Sequence, residues 1–144
     1  MTVVADASLA LKWVVSEVDS DTARALRLRW EEREEPLIAP SIFRSEVTNR
    51  LHRMTRRRQL MTDEAKEALS ILLPSVSIRE PKGLYYQALA IARQLGMGAT
   101  YDALYVALAE AEGCELWTAD RKLARAARPV FPQVRWVGEV KGPS

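Results

Sequence analysis

Val3-Val4-Ala5-Asp6-Ala7-Ser8 (VVADAS) is the stretch on which the reading of the chain turns. Apolar, partly β-branched residues read as a buried strand over residues 2–6, and a carboxylate closes it. Burying an ionised carboxylate with no partner costs on the order of several kcal/mol. Asp6 therefore caps a helix, pairs with a cation or holds a metal, and the rest of the chain has to decide which.

Working outward, Ala7 to Val15 reads as a helix with Leu9, Ala10, Trp13 and Val14 on its apolar side. A second helix starts near Asp19 or Asp21, carries Ala23, Leu26 and Trp30, and is stopped by Pro36. Leu37-Ile38-Ala39, between Pro36 and Pro40, suits a short parallel strand. Ser41 is expected to cap a long helix through Arg58, striped by Ile42, Phe43, Val47, Leu51 and Met54. A helix from Thr62, carrying Ala65, Ala68, Leu69 and Leu72, should stop before Pro74, and Val76-Ser77-Ile78 is the third strand. Gly83 to Leu95 is helical, Gly96-Met97-Gly98 is a break, and the next helix runs from Thr100 to Gly113. Leu116-Trp117-Thr118 is the fourth strand, Arg121 to Ala127 a short helix, and Val134-Arg135-Trp136-Val137 the last strand. Strands alternating with helices predict an α/β layer sandwich whose mainly parallel sheet is covered on both faces, with ligands beyond the carboxyl ends of the strands.

At 144 residues the chain is expected to be one domain, 1–144, with no linker, repeat or low-complexity segment. Hydrophobic residues make up 48% and charged residues 28%, and no apolar run approaches the roughly 18–20 residues that cross a bilayer. No basic stretch and apolar signal segment opens the chain, so cytoplasmic residence rather than secretion is expected. One cysteine, Cys114, excludes an internal disulfide and a thiolate-rich zinc site, and it reads as a small buried residue rather than a nucleophile. His52 is the lone histidine and lies in a basic helix, which argues against Ser-His-Asp and Cys-His schemes. The net charge of +2 is mild, but Arg50, Arg53, Arg56, Arg57 and Arg58 cluster. They form either a solvated helix end favoured by the dipole or a phosphate-binding patch.

Four acids carry the chemistry. Asp6 and Asp120 each follow a strand and open a helix, so each alone could be an N-cap. Asp102 falls in the first turn of a helix, where negative charge is favoured. Glu46 lies mid-helix beside the apolar stripe, where no cap explains it; its alternatives are a misread stripe or a local pair with Arg50. Strands in parallel bring Asp6 and Asp120 to one sheet edge, and the Asp102 helix can face the same edge. Two carboxylates about 4 Å apart repel by roughly 4 kcal/mol at an effective dielectric near 20. Such a cluster calls for a cation, and oxygen ligands without cysteine or histidine favour Mg2+ or Mn2+ over zinc. An ion of this kind suits phosphodiester hydrolysis without a histidine base. Ser8 and Thr118 place hydroxyls at the same edge, either bonding the carboxylates or serving as turn residues.

VVADAS, Pro40-Ser41-Ile42-Phe43-Arg44-Ser45-Glu46-Val47-Thr48-Asn49, Thr100-Tyr101-Asp102-Ala103-Leu104-Tyr105-Val106-Ala107-Leu108-Ala109 and Leu116-Trp117-Thr118-Ala119-Asp120 together resemble the successive motifs of PIN-domain proteins of the VapC toxin type. The resemblance spans nearly the whole chain, and no acid of the pattern is missing. It implies a three-layer α/β/α sandwich with a five-stranded parallel sheet in the order 3-2-1-4-5. It also implies a Mg2+- or Mn2+-dependent ribonuclease that cuts RNA as the toxin of a toxin–antitoxin pair. Position by position it makes Asp6 and Asp102 the direct metal ligands, with Glu46 and Asp120 completing the acidic cluster directly or through water. Thr118 matches a hydroxyl position before the last acid, and Asn49 a polar position after the glutamate. A homodimer and a VapB-like antitoxin are the implied partners, the antitoxin placing a basic side chain among the carboxylates. Trp13 and Leu9 are weighed as apolar surface for an antitoxin helix against the simpler reading that both are core. Arg121 and Lys122 are candidates to meet RNA. The alternatives are a nuclease acting in RNA processing or on DNA, and a partner-binding module without activity. A phosphoacceptor receiver domain is disfavoured, because Asp6 stands alone and the last strand reads Val134-Arg135-Trp136-Val137 where a lysine would be wanted.

Overall fold

The computed structural model describes residues 1–140. Five short strands form one parallel sheet in the order β3-β2-β1-β4-β5: β1 (Val3–Ala5), β2 (Leu37–Ala39), β3 (Ser77–Ile78), β4 (Glu115–Thr118) and β5 (Val134–Trp136). The helices are α1 (Ala7–Val14), α2 (Ser20–Glu32), α3 (Ile42–Arg56), α4 (Thr62–Ser75), α5 (Leu84–Gln94), α6 (Tyr101–Glu112) and α7 (Arg121–Ala127), followed by a 3-10 turn at Val137–Glu139. This is the three-layer α/β/α sandwich with sheet order 3-2-1-4-5. Val3, Val4 and Ala5 of the central strand are all buried, as a sheet covered on both faces requires.

Register decides where the chemistry sits. Val4 pairs with Ile38 on one side and Leu116 on the other, and Ala5 lies opposite Trp117. Asp6 therefore leaves β1 level with Thr118, and its N–H donates to the Trp117 carbonyl at 3.2 Å. The chain turns to β2 on one flank of β1 and to β4 on the other, so the crevice beyond β1 and β4 is the topological switch point at which doubly wound sheets bind ligands.

Helix α6 shows why that crevice is deep. Ala103 through Ala109 are all buried, because α6 packs against α5 as well as against β1 and β4. Gly113 then ends it in the left-handed region at φ 62°, a conformation that favours glycine. Cys114 is buried at the entry to β4, and burial pushes its thiol up, in line with a packing role.

Three local expectations are corrected, and the open reading of Trp13 and Leu9 is decided in favour of core. Asp19 stands at the N-cap position of α2 but in the left-handed region (φ 67°) and without a side-chain cap bond; the Ser20 hydroxyl ties this corner instead, donating to the Val15 carbonyl and accepting from the Glu17 N–H. Ser41 does not cap its own helix. Glu80, from beyond β3, accepts both the Ser41 N–H at 3.1 Å and the Ser41 hydroxyl, while the Phe43 and Arg44 N–H groups of the first turn go to the Pro40 and Ser41 carbonyls. Helix α4 runs through Pro74, which lies in its last turn and removes only one N–H from the ladder. Trp13 and Leu9 are core and offer no docking surface: Leu9 is wholly buried, and Trp13 lies beneath the Arg27 guanidinium with its Nε1–H donated to the Ala23 carbonyl at 3.1 Å. Among the described residues no helix is long and apolar enough to cross a membrane.

The central position of Leu116, fully buried between β1 and β5, sets its energetic weight. Leu116→Ala should cost about 2–5 kcal/mol in urea unfolding, with the denaturant slope unchanged.

Candidate active site

At the carboxyl edge of β1, the residue after the last strand position must turn the chain into α1. Asp6 does so as an N-cap, its Oδ1 accepting the Leu9 N–H at 3.0 Å and the Ser8 hydroxyl at 2.7 Å. Its Oδ2 accepts the hydroxyl of Thr118, the buried last residue of β4, at 2.5 Å. Thr118 Oγ1 in turn accepts the Asp120 N–H at 2.9 Å, and the Ser8 hydroxyl accepts the Ala119 N–H at 3.0 Å. Two strand ends are thus stitched together through one carboxylate. Burial nevertheless outweighs these donors and pushes the Asp6 carboxyl up to about 7, with the Asp102 charge adding to the rise.

The other acids arrive from three helices. Asp120 caps α7, its Oδ1 accepting the N–H groups of Lys122 at 2.9 Å and Leu123 at 3.2 Å. Asp102 sits half-buried in the first turn of α6, raised by burial and then by the charge of Asp120. Glu46 projects from the middle of α3 and accepts the Tyr105 hydroxyl at 2.5 Å. Burial raises Glu46, Asp102 raises it further, and the Tyr105 hydrogen bond and the Arg50 charge pull the other way. The Asp102 charge is therefore felt by Asp6 and Glu46, and Asp120 is felt by Asp102, which puts Asp102 at the hub of the four.

Asp6, Glu46, Asp102 and Asp120 line one open cleft of about 570 Å³. Ser8 and Asn49 share its walls, Asn49 exposed one turn beyond Glu46. Arg50 and Arg53 line it too, whereas Arg58 belongs to a separate hollow near the start of α4, so the arginine cluster divides. A neighbouring hollow shares Glu46, Tyr101, Asp102 and Asp120 and continues to Met97 and Lys122. Arg121 is turned away onto the Trp136 ring, 5.1 Å from its centroid.

The donor set is all oxygen, which fits a hard divalent cation. Among the described residues, however, no three acidic, histidine or cysteine side chains are grouped tightly enough to hold one ion as they stand. Both Asp6 oxygens, Asp120 Oδ1 and Glu46 Oε1 each accept an N–H or hydroxyl of the protein itself.

Sequence reasoning missed Tyr105 and the entry of Arg50 and Arg53 into the acidic cleft. Tyr105 lies three residues after Asp102, hence on the same face of α6, and that spacing was its only signal.

Comparisons with known proteins bear on the family and the fold. The PIN domain family matches residues 3–129. The chain is 33% identical over 131 residues to the VapC ribonuclease Mb0985 of Mycobacterium bovis and to ribonuclease VapC9 of Mycobacterium tuberculosis, covering 90% of this chain and 94% of each relative. In structure it resembles the crystal structure of PAE2754 from Pyrobaculum aerophilum, with a TM-score of 0.66 and 22% identity over 96% of this chain and 92% of that one.

The raised Asp6 carboxyl has a definite sign in stability. Between its ordinary value of 3.8 and about 7 the folded chain binds more protons there than the unfolded chain, so rising pH destabilises the fold. With chelator present, unfolding free energy should fall by a few kcal/mol, on the order of 1.4 per pKa unit, from pH 4 to pH 8. Asp6→Asn should flatten that slope in urea titrations run at each pH.

Proposed function

This chain belongs to the PIN-domain family, among its VapC-type ribonucleases, and from that premise we propose that it is a Mg2+- or Mn2+-dependent endoribonuclease, hydrolysing RNA phosphodiester bonds as the toxin of a toxin–antitoxin pair. The observation that carries the metal dependence is the convergence of four carboxylates from separate elements on one open cleft whose lining includes no histidine or cysteine among the described residues.

Asp6 and Asp102 would hold the ion, with Glu46 and Asp120 closing the cluster directly or through water. When bound, the ion supplies Lewis-acid chemistry, acidifying water and neutralising charge on a phosphoryl oxygen. Ser8 and Thr118 orient Asp6 by donating to both of its oxygens. Asp120 keeps its position through the backbone of α7, and Asn49 offers an amide to substrate or solvent on the same wall. Arg50 and Arg53 on one flank, and Lys122 in the adjoining hollow, suit RNA phosphates that enter and leave past the acids. In the proposed setting residues 1–144 act as one cytoplasmic nuclease domain, paired as a homodimer and silenced by a VapB-like antitoxin.

Asp6→Asn and Asp102→Asn should each lower Mn2+-stimulated cleavage of a single-stranded RNA by at least about 100-fold, with circular dichroism unchanged. Cleavage that survives both substitutions, or excess chelator, rejects the metal site. Replacing Arg50 and Arg53 together by Ala should instead raise KM for RNA and reduce the steepness of its salt dependence by about one to two phosphate contacts.

A further inference from the structure

Tyr105 is 1% exposed, and its ring is part of the core. A phenylalanine would fill that space without needing a polar partner. The phenol instead reaches across to a carboxylate 59 positions away in sequence, on a different helix. Two helices meet at this one oxygen: Tyr105 rides on α6 on the same face as Asp102, and its hydroxyl donates to Glu46 of α3. Two of the four acids are thereby referenced to a single packed ring.

We infer that Tyr105 is a positioning residue of the site, fixing the Glu46 carboxylate toward the ion that Asp6 and Asp102 would hold. Glutamate on a helix wall has three rotatable bonds and an open cleft in front of it, and within α3 only the charge of Arg50, one turn on, bears on its orientation. The close-packed ring selects one orientation, because buried aromatic side chains move little and a charge-assisted O–H···O− bond is strongly directional. Oε1 is committed to the phenol, and Oε2 is left for the ion or its waters. This deepens the proposed nuclease site and rests on it.

The test uses the full chain and Mn2+ alone as probe, measured by calorimetry or Mn2+ paramagnetic resonance, followed by RNA cleavage. Tyr105→Phe should keep a cooperative unfolding transition, weaken Mn2+ binding by about 10–100-fold and lower kcat to a similar degree, with KM for RNA little changed. In a Glu46→Gln background the same substitution should add almost nothing, since there is no carboxylate left to orient. Wild-type binding and kcat in Tyr105→Phe would overturn the inference, as would an equally large loss in the Glu46→Gln background or loss of the folded state. A wild-type chain that takes up no Mn2+ and cuts no RNA brings down the nuclease site itself, and the inference with it; wild-type function with an unaffected Tyr105→Phe removes only the role of Tyr105.

Discussion

One pairing governs the rest of the molecule: β1 lies parallel to β4, with Ala5 opposite Trp117. That register ends two strands at the same height and leaves a carboxylate beside a hydroxyl where they stop. The Asp6–Thr118 bond follows from it, and so does the stitching of Ser8, Ala119 and Asp120 into one hydrogen-bonded edge. A shift of one residue in this pairing would turn Thr118 to the other face of the sheet and leave Asp6 buried without its strongest partner. The fold is thus held in register by the same contact that builds the site.

Capping and acidic-cluster membership are therefore not alternatives for these residues. Asp6 and Asp120 each accept N–H groups from the first turn of the helix they open, and each also lines the cleft. Helix amino ends carry partial positive charge, which makes them tolerable places to gather anions that would otherwise repel. Asp102, in the first turn of α6, uses the same device. Glu46 has no helix end to lean on, and the phenol of Tyr105 takes that place. Local donors hold three of the four carboxylates, Asp6, Glu46 and Asp120, while burial first and the charge of a neighbouring acid second push Asp6, Glu46 and Asp102 up.

Much of this could be read in advance where a single element carries its own signal. The strand–acid–helix junctions at Asp6 and Asp120 announce themselves through a short apolar run followed by a capping residue, and the α3 stripe shows through Phe43, Val47 and Leu51. What stayed hidden depends on contacts between distant segments. Ser41 looks like a local cap but surrenders its N–H to Glu80, 39 residues on, and no pattern near Ser41 encodes that. The middle of α6, residues 103–109, is buried on all sides, so its residues lack a stripe that would single out Tyr105 from its apolar neighbours. Leu9 and Trp13 posed the opposite difficulty, since an apolar helix face reads the same whether its cover comes from within the chain or from a partner. Here α2 and Arg27 provide the cover.

The distribution of charge along the cleft carries the last step. With a net charge of only +2, attraction for a polyanion cannot come from the molecule as a whole and has to be local. Arg50 and Arg53 line the cleft with the acids, and Lys122 lines the adjoining hollow that shares three of them. In the proposed function a strand of RNA would be drawn to these cations while its middle phosphate met four carboxylates. That central repulsion is unfavourable for RNA alone and for the acids alone, and a divalent cation relieves both at once. Substrate and metal should then bind with positive coupling, each lowering the electrostatic cost of the other, so that the acidic centre resists a phosphate until the ion required for hydrolysis is in place.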